Sequence, residues 1–571
     1  MFSQDTFYKR LVSALFALLL SFVSFSQEVN LEVAGNREIE PAYRLSKQPK
    51  LIDTVIPYSE IQYPLLSLKY ETAFALDTIK AAKIKLVDKL PDIYPGYVRV
   101  GVGSKFMPLA EVFYNSVRSR KLVYGAHLKH LSSFGSIPGY APAQFDRTQL
   151  NLAATLNENK YSVDGRMHFN SMGLHHYGFA REDAPKDSIA QRFSDFGMSF
   201  LYSKHKKDSL TFNYSAGLKY NYSQDKQPSF DSLYHARENY VNLHGTAWYK
   251  LRKEIVSADV ELIMNQYNRI DGTGKKDYSL ADTPVDLIFR LAPNITTYAQ
   301  NNRLKVKFGA NLNVNSHFGK GTIYIAPDIE LKYSMFDDIL IPYLEIKGGL
   351  VQNTFKSLAG QNEFILSNIP LENEYQVINT SLGIKGTLSN TIMFNANARF
   401  GVVKDKALFV TDTLFSGGNR FNVVYEDMNI ASIQGSLIYQ SSEKLKIEGI
   451  GTFYSYMTKN YIYAWNLPQI QVVARGYYKV MDNLSVQLDA NLEGGRYAQV
   501  YTEAESDRVE NLQFAKKLGF ITDLNLGAEY LYSQRLSAFL QFNNLAAQRY
   551  KRWYNYPVQG FQVMGGVTFK F

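Results

Sequence analysis

An all-β transmembrane barrel of about twenty-two antiparallel strands, with a short N-terminal extension, is the architecture this chain calls for. Three observations carry that reading. First, Leu210 to Tyr222 runs Leu-Thr-Phe-Asn-Tyr-Ser-Ala-Gly-Leu-Lys-Tyr-Asn-Tyr, with every even position apolar or aromatic and every odd position small or polar. Leu304 to Asn315, Ile392 to Val402 and Leu484 to Leu492 repeat the pattern. A period of two makes a strand with one apolar and one polar face. Second, such runs exceed the usual five or six residues of soluble strands and match the roughly nine to eleven that cross a bilayer at a tilt. Third, short and long connections alternate from about residue 97 to Phe571, as in barrels with short periplasmic turns and long outer loops.

Rising strands are expected to start near Tyr97, Leu122, Lys160, Leu210, Ile255, Leu304, Ile339, Thr391, Leu445, Leu484 and Leu536. Falling strands should start near Pro108, Thr148, Gln191, Glu238, Pro284, Thr322, Tyr375, Ile430, Pro468, Gly519 and Val558. Short turns include Phe336-Asp337-Asp338, Ser389-Asn390, Met481-Asp482-Asn483 and Ser533-Gln534-Arg535, with Lys206 in another. Long outer loops are read at Phe134 to Asp146, Asn170 to Ala190, Ile270 to Asp282, Gln352 to Glu374, Val403 to Asp427 and Glu493 to Leu518. An even strand count puts both chain ends on the periplasmic side.

The N-terminus looks like a secretion signal. Lys9 and Arg10 precede the apolar stretch Leu11 to Val23, and Ser24-Phe25-Ser26 makes a small-x-small cleavage site before Gln27. Residues 1–26 are therefore expected to be removed, 27–95 to form a Pro-rich periplasmic or lumenal segment, and 96–571 to form the barrel in the outer membrane of a Gram-negative bacterium. The chain has no cysteine, which excludes disulfides, thiolate metal sites and a lipidated N-terminal cysteine. Aromatic residues make up 14% of the chain, as interfacial girdles at both barrel rims would require. Mean hydropathy is slightly negative at −0.23, because only alternate strand residues face lipid. The net charge of +9 is carried largely by turn clusters such as Lys204 to Lys207 and Arg252-Lys253, and points to no nucleic-acid partner.

Nothing indicates catalysis. Gly-x-Ser-x-Gly, His-Glu-x-x-His and phosphate-binding Gly-Lys-Ser/Thr motifs are missing from the sequence. His127 and His130 are three apart on a strand and face opposite sides, and His175-His176 has no partner at ligand spacing. No enzyme, metal or cofactor is expected. Candidate lumen-facing polar residues are Lys305, Lys307, Asn311 and Asn313 on one strand and Asn395, Asn397 and Arg399 on another. A selective path lined by them would favour anionic or hydroxyl-rich solutes.

The chain ends Gly566-Val567-Thr568-Phe569-Lys570-Phe571. It resembles the C-terminal signal read by the outer-membrane assembly machinery, with Gly566, Phe569 and Phe571 as its marks and Met564 as a departure. Just upstream stand Phe542-Asn543-Asn544-Leu545, Tyr550, Trp553, Tyr556-Pro557 and Gly560. This stretch resembles the closing hairpin of TonB-dependent receptor barrels, a family with twenty-two strands. The resemblance implies active import across the outer membrane with an energy-coupling partner. Asp53-Thr54-Val55-Ile56 is similar to that family's energy-coupling box. The family also fills its lumen with a plug of well over a hundred residues, whereas Gln27 to Pro95 offers about seventy.

Something else must then occupy so wide a lumen: that segment (with Ile61 to Phe74 on the inner wall), inward loops or another protein. Two functions stay open. One is transport of a solute or polymer with help from a periplasmic energy-coupling protein or a surface lipoprotein. The other is a non-transporting structural, assembly or surface-binding scaffold of an outer-membrane complex.

Overall fold

A computed structural model describes residues 93–179, 182–204, 212–226, 235–270, 285–317, 319–413, 416–500 and 514–571. The wall begins with β1 (Gly96–Gly103), β2 (Met107–Asn115), β3 (Leu122–Ser133), β4 (Phe145–Asn157) and β5 (Tyr161–His175). After a single helical turn, α1 (Lys186–Ile189), come β6 (Ala190–Lys204), β7 (Asn213–Lys226), β8 (His235–Leu251) and β9 (Glu254–Ile270). Next are β10 (Val285–Ala299), β11 (Leu304–His317), β12 (Lys320–Tyr333) and β13 (Leu340–Val351). Helix α2 (Phe355–Gln361) precedes β14 (Glu374–Ser389), β15 (Ile392–Asp412), β16 (Arg420–Gln440) and β17 (Leu445–Thr458). The last part holds β18 (Ile470–Met481), β19 (Leu484–Gly494), β20 (Tyr497–Val500), β21 (Phe514–Lys517), β22 (Ile521–Leu531) and β23 (Leu536–Asn543). The small β24 (Lys551–Trp553) and β25 (Tyr556–Pro557) lead to β26 (Gln562–Lys570).

Twenty-two of these strands form one antiparallel sheet that closes on itself, β1 pairing with β26 from Tyr97↔Lys570 to Gly103↔Met564. The remaining four form two small hairpins, β20–β21 and β24–β25, within outer connections. Closure leaves no free end strands, which is the condition for putting a sheet in hydrocarbon. Gly96 and Phe571 finish the seam by exchanging main-chain hydrogen bonds of 3.2 and 3.0 Å.

Alternation sorts the side chains onto two faces. Along one outward row Leu243, Leu262, Phe289, Val314 and Ile323 are cross-strand neighbours, and all are exposed. The inward row beside it holds Asn242, Ile263, Ile288, Asn315 and Thr322. At the closing seam Phe539 points inward, and the Arg99 guanidinium stacks on its ring at 3.8 Å. That ring lies across Gly101 and Gly566: a Cβ on either would stand 2.8 or 2.6 Å from it, so only glycine fits. Phe569 and Phe571 are exposed beside Val567 on the wall's final strand.

The described strand starts fall within a few residues of those read from alternation, with two larger shifts. The stretch Val403 to Asp427, expected as a loop, is instead the protruding end of a hairpin: β15 continues to Asp412 and β16 begins at Arg420 rather than near Ile430. Its alternation fails at a bulge between Val403 and Lys406, where the ladder shifts register. The start near Val558 moves to Gln562, because residues 544–561 form a loop containing β24 and β25. Strand also extends into the expected loop Asn170 to Ala190, as far as His175. The start at Leu210, the turn at Lys206, most of Ile270 to Asp282 and residues 501–513 of the loop Glu493 to Leu518 lie outside the described residues, as do the signal sequence, the candidate coupling box Asp53 to Ile56 and the stretch Ile61 to Phe74.

Short turns, including Asp337, Asp482 and Gln534, share one end with Gly96 and Phe571, while the long connections share the other. A cysteine-free chain allows a direct check of orientation. Gly417→Cys should react with an impermeant maleimide on intact cells, and Asp482→Cys only after lysis. The reverse pattern would place the long loops in the periplasm.

Candidate functional site: the lumen and the loop that enters it

The connection between β13 and β14 was expected to project outward, and it does not. Residues 352–373 fold into the lumen. Thr354 caps α2: its side chain accepts from the Ser357 amide at 3.0 Å, and the Ser357 hydroxyl accepts from the Thr354 amide at 2.9 Å, a reciprocal box. The helix buries Phe355, Leu358 and Ala359, the i, i+3, i+4 face. Its first amides meet a carboxylate from the wall. Phe355 and Lys356 donate to Glu238 of β8 at 2.8 and 3.0 Å, and Asn265 of β9 donates to the same group at 2.9 Å. Glu238 thereby replaces water for amides that a helix start leaves open.

Lys356 reaches further. Its Nζ donates to Asp195 of β6 at 2.9 Å and Asn221 of β7 at 2.7 Å, with His168 Nε2 of β5 at 3.3 Å. His168 and Asn221 lie below the strand ends His175 and Lys226 by seven (175 − 168) and five (226 − 221) residues. At about 3.3 Å per residue, the Lys356 ammonium lies roughly 16–23 Å along these strands from their outer ends. The rest of the loop is tied all around. Ser367 donates to Asp225 of β7 at 2.5 Å, and its carbonyl accepts from Tyr267 of β9 at 2.5 Å. Asn373 and Gln352 donate to Asp286 of β10 at 2.9 and 2.7 Å, and Glu363 pairs with Arg147 of β4 at 2.9 Å. Phe364 and Leu366 exchange main-chain bonds of 3.0 and 2.8 Å with Phe421 of β16. A segment bonded to strands from β4 to β16 can only cross the interior.

Apolar packing completes the closure. Phe355, Leu358, Phe364, Ile365, Ile369 and Leu371 form a core with Leu174, Tyr267, Phe409, Phe421 and Tyr556. Phe364 stacks on Tyr556 at 3.6 Å, and the Tyr177 hydroxyl donates to the Pro557 carbonyl at 3.0 Å, so two other outer loops clamp the first. His176, in one of them, is fully buried against the edge of Phe364. Burial, and next the Arg420 guanidinium, hold its pKa well below the usual imidazole value. A second apolar cluster gathers Trp465, Leu408, Val410 and Met428, with Tyr463 stacked on Tyr497 at 4.0 Å.

Below the loop the wall is polar and most of its charges are paired, Lys305 and Lys332 sharing Glu330. Lys305 meets Glu330 at 3.2 Å, Lys307 meets Asp328 at 2.6 Å, Lys332 meets Glu330 at 2.5 Å and Arg290 meets Glu261 at 2.6 Å. Asn311 donates to the Gly348 carbonyl at 2.7 Å, and Asn313, fully buried, accepts from Arg290 at 2.9 Å. Asn395 accepts from Tyr343 at 3.0 Å, Asn397 donates to Gln434 at 3.3 Å, and Arg399 stands on the same face, exposed, opposite Ser381 and Ser432. Lys305 and Lys307 thus carry neighbouring carboxylates that offset their charge. No group of three or more potential metal ligands occurs among the described residues.

Pattern reading passed over the residues that matter most here: Glu238, Asp195, Asn221, Asp225, Asp286 and the loop itself. One signal was available. Phe355, Leu358, Phe364, Ile365, Leu366, Ile369 and Leu371 make 352–373 too apolar for a solvated outer loop.

No family model matches this sequence, and none of the curated proteins does. Solved structures do match in shape. The siderophore receptor PirA from Acinetobacter baumannii aligns with a TM-score of 0.62 at 11% identity, over 85% of this chain and 81% of that one. The pyoverdine outer membrane receptor FpvA from Pseudomonas aeruginosa PAO1 aligns at 0.61 and 12% identity, over 84% and 79%. The copper transporter OprC aligns at 0.59 and 12% identity, over 84% and 81%. These are TonB-dependent receptors, and at such identities the shared property is the fold.

Two outcomes are expected of the loop. Glu238→Leu removes the acceptor for two helix amides and should weaken docking by about 2 kcal/mol, roughly thirty-fold faster amide exchange across 352–373 by mass spectrometry. His176 must be neutral to stay buried, so docking is at full strength above the ordinary imidazole value of 6.5 and weakens as pH falls below it. The loss is about 1.4 kcal/mol per unit until the depressed pKa is reached. Protection of the loop, taken as its exchange rate relative to that of unstructured peptide at the same pH, should therefore fall between pH 6.5 and 5 in the parent and stay flat in His176→Phe.

Proposed function

We propose that this chain is an outer-membrane transporter that moves a solute or polymer with the help of a partner, its lumen closed from outside by the loop 352–373. The observation that carries the proposal is that loop: a wide wall whose interior is entered by a connection tethered at both ends to neighbouring strands, and hence removable without dismantling the wall. The fold points the same way, since the similar structures are a siderophore receptor, a pyoverdine receptor and a copper transporter. The largely charge-paired inner wall favours a hydroxyl-rich or mixed-charge solute over a strongly anionic one.

In this reading residues 1–26 are a secretion signal cleaved near Ser26, and Gly566, Phe569 and Phe571 serve the assembly machinery. The partner is a periplasmic energy-coupling protein, met through Asp53 to Ile56, or a surface lipoprotein. The scaffold alternative draws on the density of polar ties that fix the loop, which suits a permanently sealed barrel.

The two part on one experiment. Residues 354–371 are replaced by a short Gly-Ser linker, and folding is verified by the heat-dependent gel shift of intact barrels. Transport predicts that vancomycin, normally excluded by the outer membrane, becomes at least ten-fold more potent against cells carrying the variant, with a matching rise in conductance in planar bilayers. A folded variant that leaves both unchanged would favour the scaffold.

A further inference from the structure

Between β12 and β13 the ladder of the wall stops early. β12 pairs with β11 along its full length, from Leu304↔Tyr333 to His317↔Lys320, but with β13 only from Asp328↔Lys347 to Lys332↔Tyr343. Above Asp328 the edge Lys320–Pro327 has no strand partner among the described residues. Tyr375 of β14 reaches it, its hydroxyl donating to the Ile325 carbonyl at 2.7 Å and its ring lying 4.6 Å from that of Tyr324. Ile323 and Ile325 are each 66% exposed, and Ile323 continues the apolar outward row of Leu243, Leu262, Phe289 and Val314. The bare edge therefore carries an apolar outward face, and in hydrocarbon its unpaired main-chain groups would be costly.

The sequence accounts for the break. Pro327 offers no amide, and continuing the register puts Gly348 opposite it, followed by Gly349 at φ +148°. The ladder of β13 with β14 shifts register at this point too. Beyond the two glycines β13 parts from β12 toward the interior while staying paired with β14, from Gly349↔Gln376 to Val351↔Glu374. The Gly348 carbonyl accepts from Asn311 at 2.7 Å and the Leu350 carbonyl from Arg290 at 2.7 Å. Leu350, 2% exposed, packs on Ile263 and Ile288 of the inner face. Gly348 itself passes so near the inner side of β12 that a Cβ would stand 2.8 Å from that of Ala326.

Alternation, however, assigns Leu350 to the other side. Leu344, Ile346, Gly348 and Leu350 continue one apolar face, the face that Leu344 and Ile346 share with their partners Leu331 and Ile329. Extending the ladder two by two from Asp328↔Lys347 sets Leu350 opposite Ile325, both toward lipid. The segment therefore has two complementary seats: the inner face of β9 and β10, where it lies here, and the vacant edge of β12.

We propose that the upper part of β13 is a switch between these seats, and that zipping onto β12 withdraws the loop 352–373 from the lumen. The inference rests on the reading of that loop as a stopper. In the peeled position Arg290 and Asn311 hold its carbonyls and Glu238 holds α2, while the β12 edge stands open. In the zipped position the edge is satisfied and those side chains turn to the lumen. Gly348–Gly349 is the hinge, and the Tyr375–Ile325 bond is the contact that marks the path between the two.

The absence of native cysteine makes the test clean. In the full-length chain, Ile325→Cys with Leu350→Cys brings two thiols together only when β13 is zipped, and Ile288→Cys with Leu350→Cys only when it is peeled. Oxidation in planar bilayers should trap the first variant at a conductance at least ten-fold above its reduced form. It should trap the second at the closed level, with dithiothreitol reversing both. Gly349→Val, which disfavours the positive φ of the peeled form, should raise conductance without any oxidant. The switch is overturned if Ile325/Leu350 never cross-links in barrels where Ile288/Leu350 does, or if its cross-link leaves conductance unchanged while the loop-replaced barrel conducts. If the loop-replaced barrel itself stays closed, it is the stopper reading that fails.

Discussion

Every peptide group placed in hydrocarbon must find its hydrogen-bond partner within the protein, and this single demand organises the molecule. It requires strands to close into a ring, which β1 and β26 achieve through a ladder ending in the Gly96–Phe571 exchange. It requires close backbone approach where the ring is sealed, hence Gly101 and Gly566 beneath the Phe539 ring. It also gives the interrupted edge of β12 its meaning. In a soluble sheet water would satisfy Lys320–Pro327; in a bilayer the same eight residues (320 to 327) hold unspent bonding capacity.

A ring of twenty-two strands creates a second demand, because its interior is too wide for side chains alone to fill. A connection that would ordinarily be an outer loop enters that interior. Such a segment must satisfy its own backbone away from bulk water, and the wall supplies the groups. Glu238 takes the helix amides, Asp225 the Ser367 hydroxyl, and Asp286 the amides of Asn373 and Gln352. Apolar burial of Phe355, Leu358 and Ile365 supplies the non-directional part of the attraction. The loop is held by a few specific polar clamps around a greasy centre, the composition of a domain core placed inside a pore.

How much of this could be read beforehand differs sharply between wall and lumen. Strand starts such as Leu122, Leu304, Leu445, Leu484 and Leu536 coincide with the structure because a two-sided environment, lipid against lumen, writes a period of two into every crossing. Legibility ends where that environment ends. β15 and β16 rise beyond the lipid, their faces bury against loops on both sides, and Leu408, Phe409 and Val410 become a continuous apolar run that alternation reads as a loop. The inward course of residues 352–373 was hidden for another reason. Connection length announces a loop but not its direction, and the groups that draw it in come from strands distant in sequence: Asp195, Asn221 and Glu238 against Lys356 and Phe355. Leu350 is the instructive exception, since there pattern and structure place the same residue on opposite faces.

The paired charges of the inner wall carry an implication for whatever passes. Lys305 with Glu330, Lys307 with Asp328 and Arg290 with Glu261 are dipoles a few ångströms long, not isolated poles. The potential of such a pair decays faster with distance than that of a single ion, and physiological salt damps what remains beyond about 8 Å. At the pore axis the ladder is thus nearly silent, while at the wall it is strongly textured. A small ion drifting down the middle would register almost no preference for sign, and the reversal potential of an unblocked barrel would sit near zero in a salt gradient. A bulky guest that brushes the wall would instead read a fixed mosaic of alternating donors and acceptors, so that discrimination grows with the size of the cargo.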